Sequence, residues 1–552
     1  MSQHQKVLLV APRFNGQSFW NFVDACELYG ARVPSAPLGL ITVAAMLPAS
    51  WECRLVNRNT EELTEADLDW SDMVMTGGML PQRPDTLEVI ALAQQRGKPV
   101  IVGGPDITSS PDAYENADCR VLGEAEDIIE AFINAWESGI RHGVFEAKKF
   151  EIDVTETPLP RFDLLKTSQY LYLGVQFSRG CPFTCEFCDI IELYGRVPRT
   201  KTAEQMLGEL DALYRVGYRG HLDFVDDNFI GNKRAVKAFL PQLIDWQKER
   251  GYPFMLSTEA SVNLADDDVL LGLMREANFF AVFVGIESPD TETLIAMQKK
   301  QNTRRSLVDG VHKIHKAGIF VTAGFIIGFD SEKFSVADAM IACIEETAIP
   351  ACMVGLLIAL PTTQLTSRLA AEGRLFPKSY MDKMLASGSG DQCTAGLNFT
   401  AARPRRDILM DYKTVLRHIY SPKAYFQRVL RMSMALDRAS FDQDNLDYSI
   451  RLGPITVRDL WLLWRLIVRL AMRQPRALSH FARVFVACAR VKPESLEAVG
   501  MMAAMYLHLG PFSRLVIASL DQQISEIDAG EYRSPLGDAA SSVSASPSGA
   551  AA

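Results

Sequence analysis

The chain has 552 residues, 48% hydrophobic and 22% charged, and 57 Lys+Arg against 67 Asp+Glu give a net charge of −10. These fractions exclude a disordered or collagenous chain, and ten cysteines in 552 residues are too sparse for a disulfide-stapled secreted scaffold. At about 100–200 residues per domain, the length predicts about three domains, each able to bury a core.

The first residues run directly into Val7-Leu8-Leu9-Val10, an apolar run too short for a signal segment or a membrane span. The expectation is a cytoplasmic chain with reduced thiols. Over residues 1–142, apolar runs at 6–12, 52–57, 73–77, 99–103 and 119–123 alternate with helical patterns such as 38–47 and 84–96. Continuous short apolar runs mark buried parallel strands, so the prediction is α/β: a doubly wound, flavodoxin-like sheet of five strands. Ligands of such sheets sit beyond the carboxyl ends of the strands. Those ends carry Pro12-Arg13-Phe14, Asn57-Arg58-Asn59, Gly77-Gly78-Met79-Leu80, Gly103-Gly104-Pro105-Asp106 and Gly123-Glu124-Ala125-Glu126. Their glycines suit either a large ligand pressed against backbone or tight strand-to-helix turns.

Residues 143–168, with Thr157-Pro158-Leu159-Pro160, read as a linker. A second βα series follows over 169–395, with strands predicted at 172–178, 221–225, 254–258, 281–285, 320–327 and 353–359. Six βα units predict a partial TIM-like barrel, whose site lies at the strand carboxyl ends. Residues 396–530 read as a helical extension, with helices at 406–419, 423–436, 456–472, 476–489, 493–508 and 511–527. The Ala/Ser/Gly/Pro-rich tail within 531–552 is predicted to be disordered.

Charge is unevenly spread. Residues 401–520 hold 19 Lys+Arg and 9 Asp+Glu, a balance of +10, which leaves −20 for the remainder of a chain whose total is −10. Within 454–473, Arg458, Arg465, Arg469 and Arg473 share a helical stripe opposite a Trp/Leu/Ile/Val face. Two readings stay open: an interfacial helix on anionic lipid, or a helix packed on the barrel with its arginines in water.

Seven cysteines are scattered, mostly in apolar stretches, and read as small buried hydrophobes. Cys181, Cys185 and Cys188 instead crowd into eight residues directly after the first barrel strand, as C-x3-C-x2-C. Zinc sites normally need a fourth ligand, usually from a second pair, and a ferredoxin also needs a fourth thiolate. Three thiolates hold three irons of a [4Fe–4S] cube and leave one iron open.

With aromatic Phe187 before the last cysteine, this loop resembles that of the radical S-adenosylmethionine (SAM) superfamily. The resemblance implies that the open iron chelates SAM and that reduction releases a 5′-deoxyadenosyl radical. It further implies SAM contacts at Phe187 in the loop and at Asp226, Asp227 and Asn228, Glu259, Glu287, Gly324 and Gly328 near strand carboxyl ends.

A doubly wound domain ahead of such a barrel resembles the cobalamin-dependent radical SAM enzymes. The resemblance implies cobalamin contacts at Asn57, Gly77, Gly78, Met79, Leu80, Gly103, Gly104, Pro105, Gly123 and Glu124. The chain lacks the Asp-x-His-x-x-Gly loop, and residues 5–141 contain no histidine, so no axial histidine is expected from this domain. The implied reaction uses two SAM molecules: one methylates cobalamin, the other supplies the radical that abstracts hydrogen from an unactivated carbon, which then collects the methyl.

The helical extension, Phe224-Val225-Asp226-Asp227-Asn228 and Cys185-Glu186-Phe187-Cys188 resemble the subgroup that includes the hopanoid methylases. An apolar lipid or polycyclic small-molecule substrate and an electron donor of flavodoxin or ferredoxin type are implied, with no nucleic-acid partner. The alternatives are a radical SAM cyclase or oxidase acting on a tetrapyrrole or other substrate, or a non-catalytic iron–sulfur or zinc sensor. The expected location is cytoplasmic, with peripheral contact at the inner membrane face.

Overall fold

The computed structural model describes residues 4–14, 16–388, 391–437 and 457–537. Residues 454–456 of the expected membrane-contact segment and 538–552 of the predicted tail lie outside them.

The amino-terminal region supplies β1 (Lys6–Ala11), β2 (Val33–Ser35), β3 (Glu52–Asn57), β4 (Met73–Gly77), β5 (Val100–Gly103), β6 (Cys119–Leu122) and β7 (Gly143–Glu146). Six of these form a parallel sheet in the order β3-β1-β4-β5-β6-β7. Val7 to Val10 are fully buried, because helices cover both faces and every side chain of β1 meets a core. One core includes Val7, Leu9, Met75 and Phe132, the other Leu8, Val10, Val74 and Val89.

The sheet therefore has one strand more than the five expected. Its extra member, β7, opens the segment read as linker, and Gly143, Val144 and Glu146 are exposed. An edge strand open to water carries no apolar run, so periodicity misses it.

The second sheet uses β8 (Tyr170–Val175), β11 (Gly220–Phe224), β12 (Phe254–Glu259), β13 (Phe279–Glu287), β14 (Phe320–Ile327) and β15 (Cys352–Leu356), while β9 (Ser178–Arg179) and β10 (Arg199–Thr200) form a separate antiparallel clip. The order is β15-β14-β13-β12-β11-β8-β2, all parallel. All six predicted barrel strands are present. A seventh is donated from the amino-terminal region: Val33 and Ser35 pair with Tyr170 and Tyr172. A three-residue strand gives too little pattern to be read from sequence.

The extension folds as helices Arg405–Ile419, Pro422–Ala435, Val457–Arg473, Pro475–Val491 and Leu496–Asp528. The two helices expected at 493–508 and 511–527 are one, continuous through Pro511. Proline costs about 3 kcal/mol in a helix interior, but Tyr506, Leu507, Phe512 and Val516 on both sides of it are buried, and that burial outweighs the break. The segment 493–528 is long and apolar enough to cross a membrane, with a mean hydropathy of 1.2 in its best window, but 56% of that window is buried within the protein. It serves as the central helix of the extension, sharing one core with the barrel.

Candidate active site

The carboxyl ends of the two sheets face one cavity of about 1120 Å³. That exceeds the ~300–1,000 Å³ of ordinary small-molecule pockets, leaving room for more than one ligand. Its walls hold no histidine among the described residues.

The cysteine loop hangs between β9 and helix Ile190–Leu193. Gly180, at φ +95°, must be glycine: a Cβ there would meet the carbonyl oxygens of Gly195, Tyr194 and Val197 at 3.0–3.1 Å. Cys185 is buried, Cys181 and Cys188 partly so, and none is in a disulfide. Burial, then the neighbouring Cys185, raises the Cys181 thiol pKa; burial, then Asp189, pushes Cys188 well up. Among the described residues no three His, Cys, Asp or Glu side chains converge on a single metal ion.

The Asp226-Asp227-Asn228 run turns inward to hold this loop. Asp226 accepts from the Phe177 N–H at 3.0 Å and from the N–H and hydroxyl of Ser178. Asp227 accepts from the Gly180 N–H at 2.9 Å. Asn228 donates to Cys181 Sγ at 3.9 Å and to Ser261 Oγ at 3.2 Å. The two carboxylates expected to meet SAM are thus already engaged with the loop, which is where strand-end carboxylates beside backbone amide donors settle. Burial raises Asp226 to about 7 and Asp227 to about 6.

Other contacts to the loop have no counterpart in the sequence motifs. Gln301 donates to Cys185 Sγ at 3.8 Å, and Lys299 lies 5.8 Å from the Phe187 ring centre. The Lys299 ammonium is ion-paired with Glu287, which is buried and held at φ +66°. Gly285 makes room for this pair, since a Cβ would collide with both charged ends. Phe187 also packs edge-on against Phe329 at 6.0 Å. From the helix Gln364–Ala371, Arg368 reaches Glu186 at 2.5 Å and Asp330 at 3.0 Å, clamping the loop from outside. Gln301, Lys299 and Arg368 are far from the cysteines along the chain, with no spacing signal to find them.

Tyr172, Asp223, Val225 and Glu259 form the barrel side of the cavity. His221 Nε2 contacts Ser257 Oγ at 2.6 Å, and Ser257 bonds Asp223. Burial lowers His221 to about 3, so it is neutral. Glu259 lines the cavity, where its side chain remains accessible. Burial, then the charges of Asp223, Asp227, Asp226 and Glu287, raises it to about 8. Of these carboxylates only Asp223 and Glu259 line the cavity; Glu287 is held by Lys299, and Asp226 and Asp227 by the loop amides. The pair at the cavity fits a cationic ligand such as SAM. Gly324 lies under Phe283, whose ring a Cβ at that position would meet at 3.1 Å. Gly328 departs from the expectation: at φ +111° it abuts Leu397 and Ile408 of the following segments, because the chain has already left the barrel end.

On the opposite wall stand Asn57, Gly77, Gly78, Met79, Gly103, Gly104, Pro105, Gly123 and Glu124. Gly77 is required by strand contact, since its Cβ would enter the Gly103 carbonyl; Gly104 and Gly123 have φ of +101° and +88°. Asn57 donates to Tyr170 Oη at 3.2 Å. Leu80 is not on this wall, and Glu124 is on it but already ion-paired. Leu80 turns away and packs with Ile358, Met381 and Leu385, as an apolar side chain beside an apolar cluster should. Glu124 spends its carboxylate on Arg179 at 3.0 Å and Arg199 at 2.8 Å, binding the first sheet to the β9–β10 clip. The helix Leu38–Met46 and the side chains Ile129 and Phe132 extend the cavity into an apolar slot beside the sheet, a feature no motif announced.

Comparison with known proteins agrees with this architecture. Residues 31–133 match the B12 binding domain, 175–341 the radical SAM superfamily and 363–522 a domain of unknown function, DUF4070. An uncharacterised methyltransferase of Synechocystis sp. PCC 6803 is 48% identical over 78% of this chain and 79% of its own length. Hopanoid C-2 methylase of Rhodopseudomonas palustris is 36% identical over 84% of this chain and 86% of its own. In fold, the cobalamin-dependent SAM radical enzyme OxsB is similar at a TM-score of 0.56 and 14% identity, covering 96% of this chain and 81% of that one. The chain belongs to the family of B12-binding radical SAM methyltransferases that carry a carboxyl-terminal DUF4070 domain.

Proposed function

We propose that the protein methylates an unactivated carbon of an apolar, polycyclic lipid. The observation that carries this reading is the cavity of about 1120 Å³, which sets the barrel mouth, with Arg179 two residues before Cys181, against the glycine-rich sheet end; similarity to hopanoid C-2 methylase over 84% of the chain supports the lipid class. When bound, a [4Fe–4S] cluster with SAM supplies hydrogen abstraction and cobalamin supplies a transferable methyl.

The chain's own residues do the rest. Cys181, Cys185 and Cys188 hold the cluster. Asn228 and Gln301 direct N–H groups at two of the sulfurs, and Asp226 and Asp227 fix the loop backbone. Glu259 and Asp223 draw the positively charged cofactor into the barrel mouth. Glycine-rich strand ends admit a flat ligand close to backbone, without an axial histidine. Trp20, Phe14 and Val23 line the cavity and offer apolar surface to a hydrocarbon while excluding water from the reacting carbon. All ten cysteines are free thiols, which suits a reducing cytoplasm and a flavodoxin or ferredoxin type donor.

The test compares lipid and pigment extracts from a strain lacking the gene with its parent. Loss of a methylated polycyclic lipid is expected. Unchanged lipids with an altered pigment would contradict the substrate class.

A further inference from the structure

Helix Val457–Arg473 buries Leu466 and Leu470 against the core but leaves a second apolar stripe facing outward. Three of its four arginines reach protein groups, while Arg458 is exposed. Arg465 donates to the Glu27 carbonyl at 2.8 Å, Arg469 pairs with the Glu27 carboxylate at 3.2 Å, and Arg473 pairs with Asp24. Arg465, Arg469 and Arg473 thus meet the acidic helix Val23–Tyr29, with Arg473 still half exposed.

The outward stripe is apolar instead. Val457, Leu460, Trp461, Trp464 and Met472 are 51–85% exposed, at spacings that share one helical face. Helix Pro475–Val491 packs beside it and exposes Arg476, Arg483 and Arg490, seven residues apart on one stripe and without a carboxylate partner among the described residues. Exposed tryptophans next to unpaired arginines match the depth profile of a bilayer with an anionic surface: the amphipathic rings take the headgroup level and the cations the lipid phosphates. The placement has a use, because helix Val23–Tyr29 links this surface to the cavity, whose wall includes Val23 itself.

We propose that the outer face of helix 457–473, flanked by Arg476, Arg483 and Arg490, docks the protein on an anionic lipid bilayer. Docking rests on surface chemistry alone. Its consequence, that an apolar substrate enters from the membrane through the adjoining wall, rests on the lipid reading above.

The test uses full-length protein and vesicles of phosphatidylcholine with or without phosphatidylglycerol. Wild type is expected to co-sediment with anionic vesicles, about tenfold less with neutral ones, and less again in high salt. Trp461→Ser with Trp464→Ser should cut binding about tenfold or more while SAM cleavage and thermal stability stay at wild-type levels. Arg476→Ser, Arg483→Ser and Arg490→Ser together should abolish the preference for anionic vesicles. In wild type, tryptophan fluorescence should be quenched by spin-labelled lipid, a readout that needs no variant.

Absence of vesicle binding, or binding untouched by both variants, overturns the proposal. A dimer that the tryptophan variants dissolve, with no vesicle binding, also overturns it and assigns the face to a second copy of the chain. Methylation of detergent-solubilised lipid is scored separately, so docking and substrate class fail independently.

Discussion

The two sides of the cavity are built by different means. The barrel side is polar and tied: three cysteines sit on a loop pinned by Asp226 and Asp227, touched by Asn228 and Gln301 and clamped through Glu186 to Arg368. The sheet side is made of absence, of glycines where a Cβ would strike backbone and of an apolar slot behind them. Chemistry on the first side depends on particular functional groups; on the second it depends on size. A bridge of buried charge joins them, Glu124 and Glu126 to Arg179 and Arg199, with Arg179 two residues before Cys181. The two sides should therefore fail separately.

The largest effect is expected from Cys185→Ala: iron content and the visible cluster absorbance fall, and 5′-deoxyadenosine formation drops to background, while cobalamin is still retained. Gly77→Val is the mirror experiment. A side chain forced into the Gly103 carbonyl costs roughly 1–3 kcal/mol, and cobalamin should wash out on gel filtration while 5′-deoxyadenosine formation persists. If either variant abolishes both properties, the two sides are not independent.

Asp226→Asn comes next. It replaces a carboxyl whose two oxygens each accept from a backbone N–H by an amide with one accepting oxygen, a loss of about 1–3 kcal/mol. Reconstitution is expected to yield less cluster at a given iron excess, with cobalamin binding unchanged.

The smallest effect is a pH dependence. Glu259 is raised to about 8 by burial and by neighbouring carboxylates, so in the ligand-free protein its contribution to stability is present below the ordinary carboxylate range and is lost as pH rises through about 8. A cationic ligand favours the ionised form. SAM affinity should thus rise by up to about tenfold per pH unit until about 8 and then level off. Calorimetric titration of wild type and Glu259→Gln checks this: the variant should bind weakly, with a flatter profile.

What could be read in the sequence divides along the same line. The cysteine loop was legible because its information is local, three ligands within eight residues, and the barrel strands because each carries a short apolar run between helical patterns. Lys299, Gln301 and Arg368 were illegible because they reach the loop only through the fold. On the sheet side, glycine positions were legible but their reasons were not: Gly77 serves strand contact, Gly104 a left-handed backbone, and Leu80 beside them serves a different core. Strand β7 carries too little apolar pattern to register, and Pro511 masked a helix that tertiary burial holds together.

The most direct test of two cofactors serving one substrate is an anaerobic reaction of cluster-reconstituted protein with reductant, cobalamin, methyl-labelled SAM and a polycyclic lipid extract. The label should appear in a lipid only when cobalamin is present and Cys185 is intact. Label reaching lipid without cobalamin, or SAM cleaved with the label never leaving it for a lipid, would contradict the account.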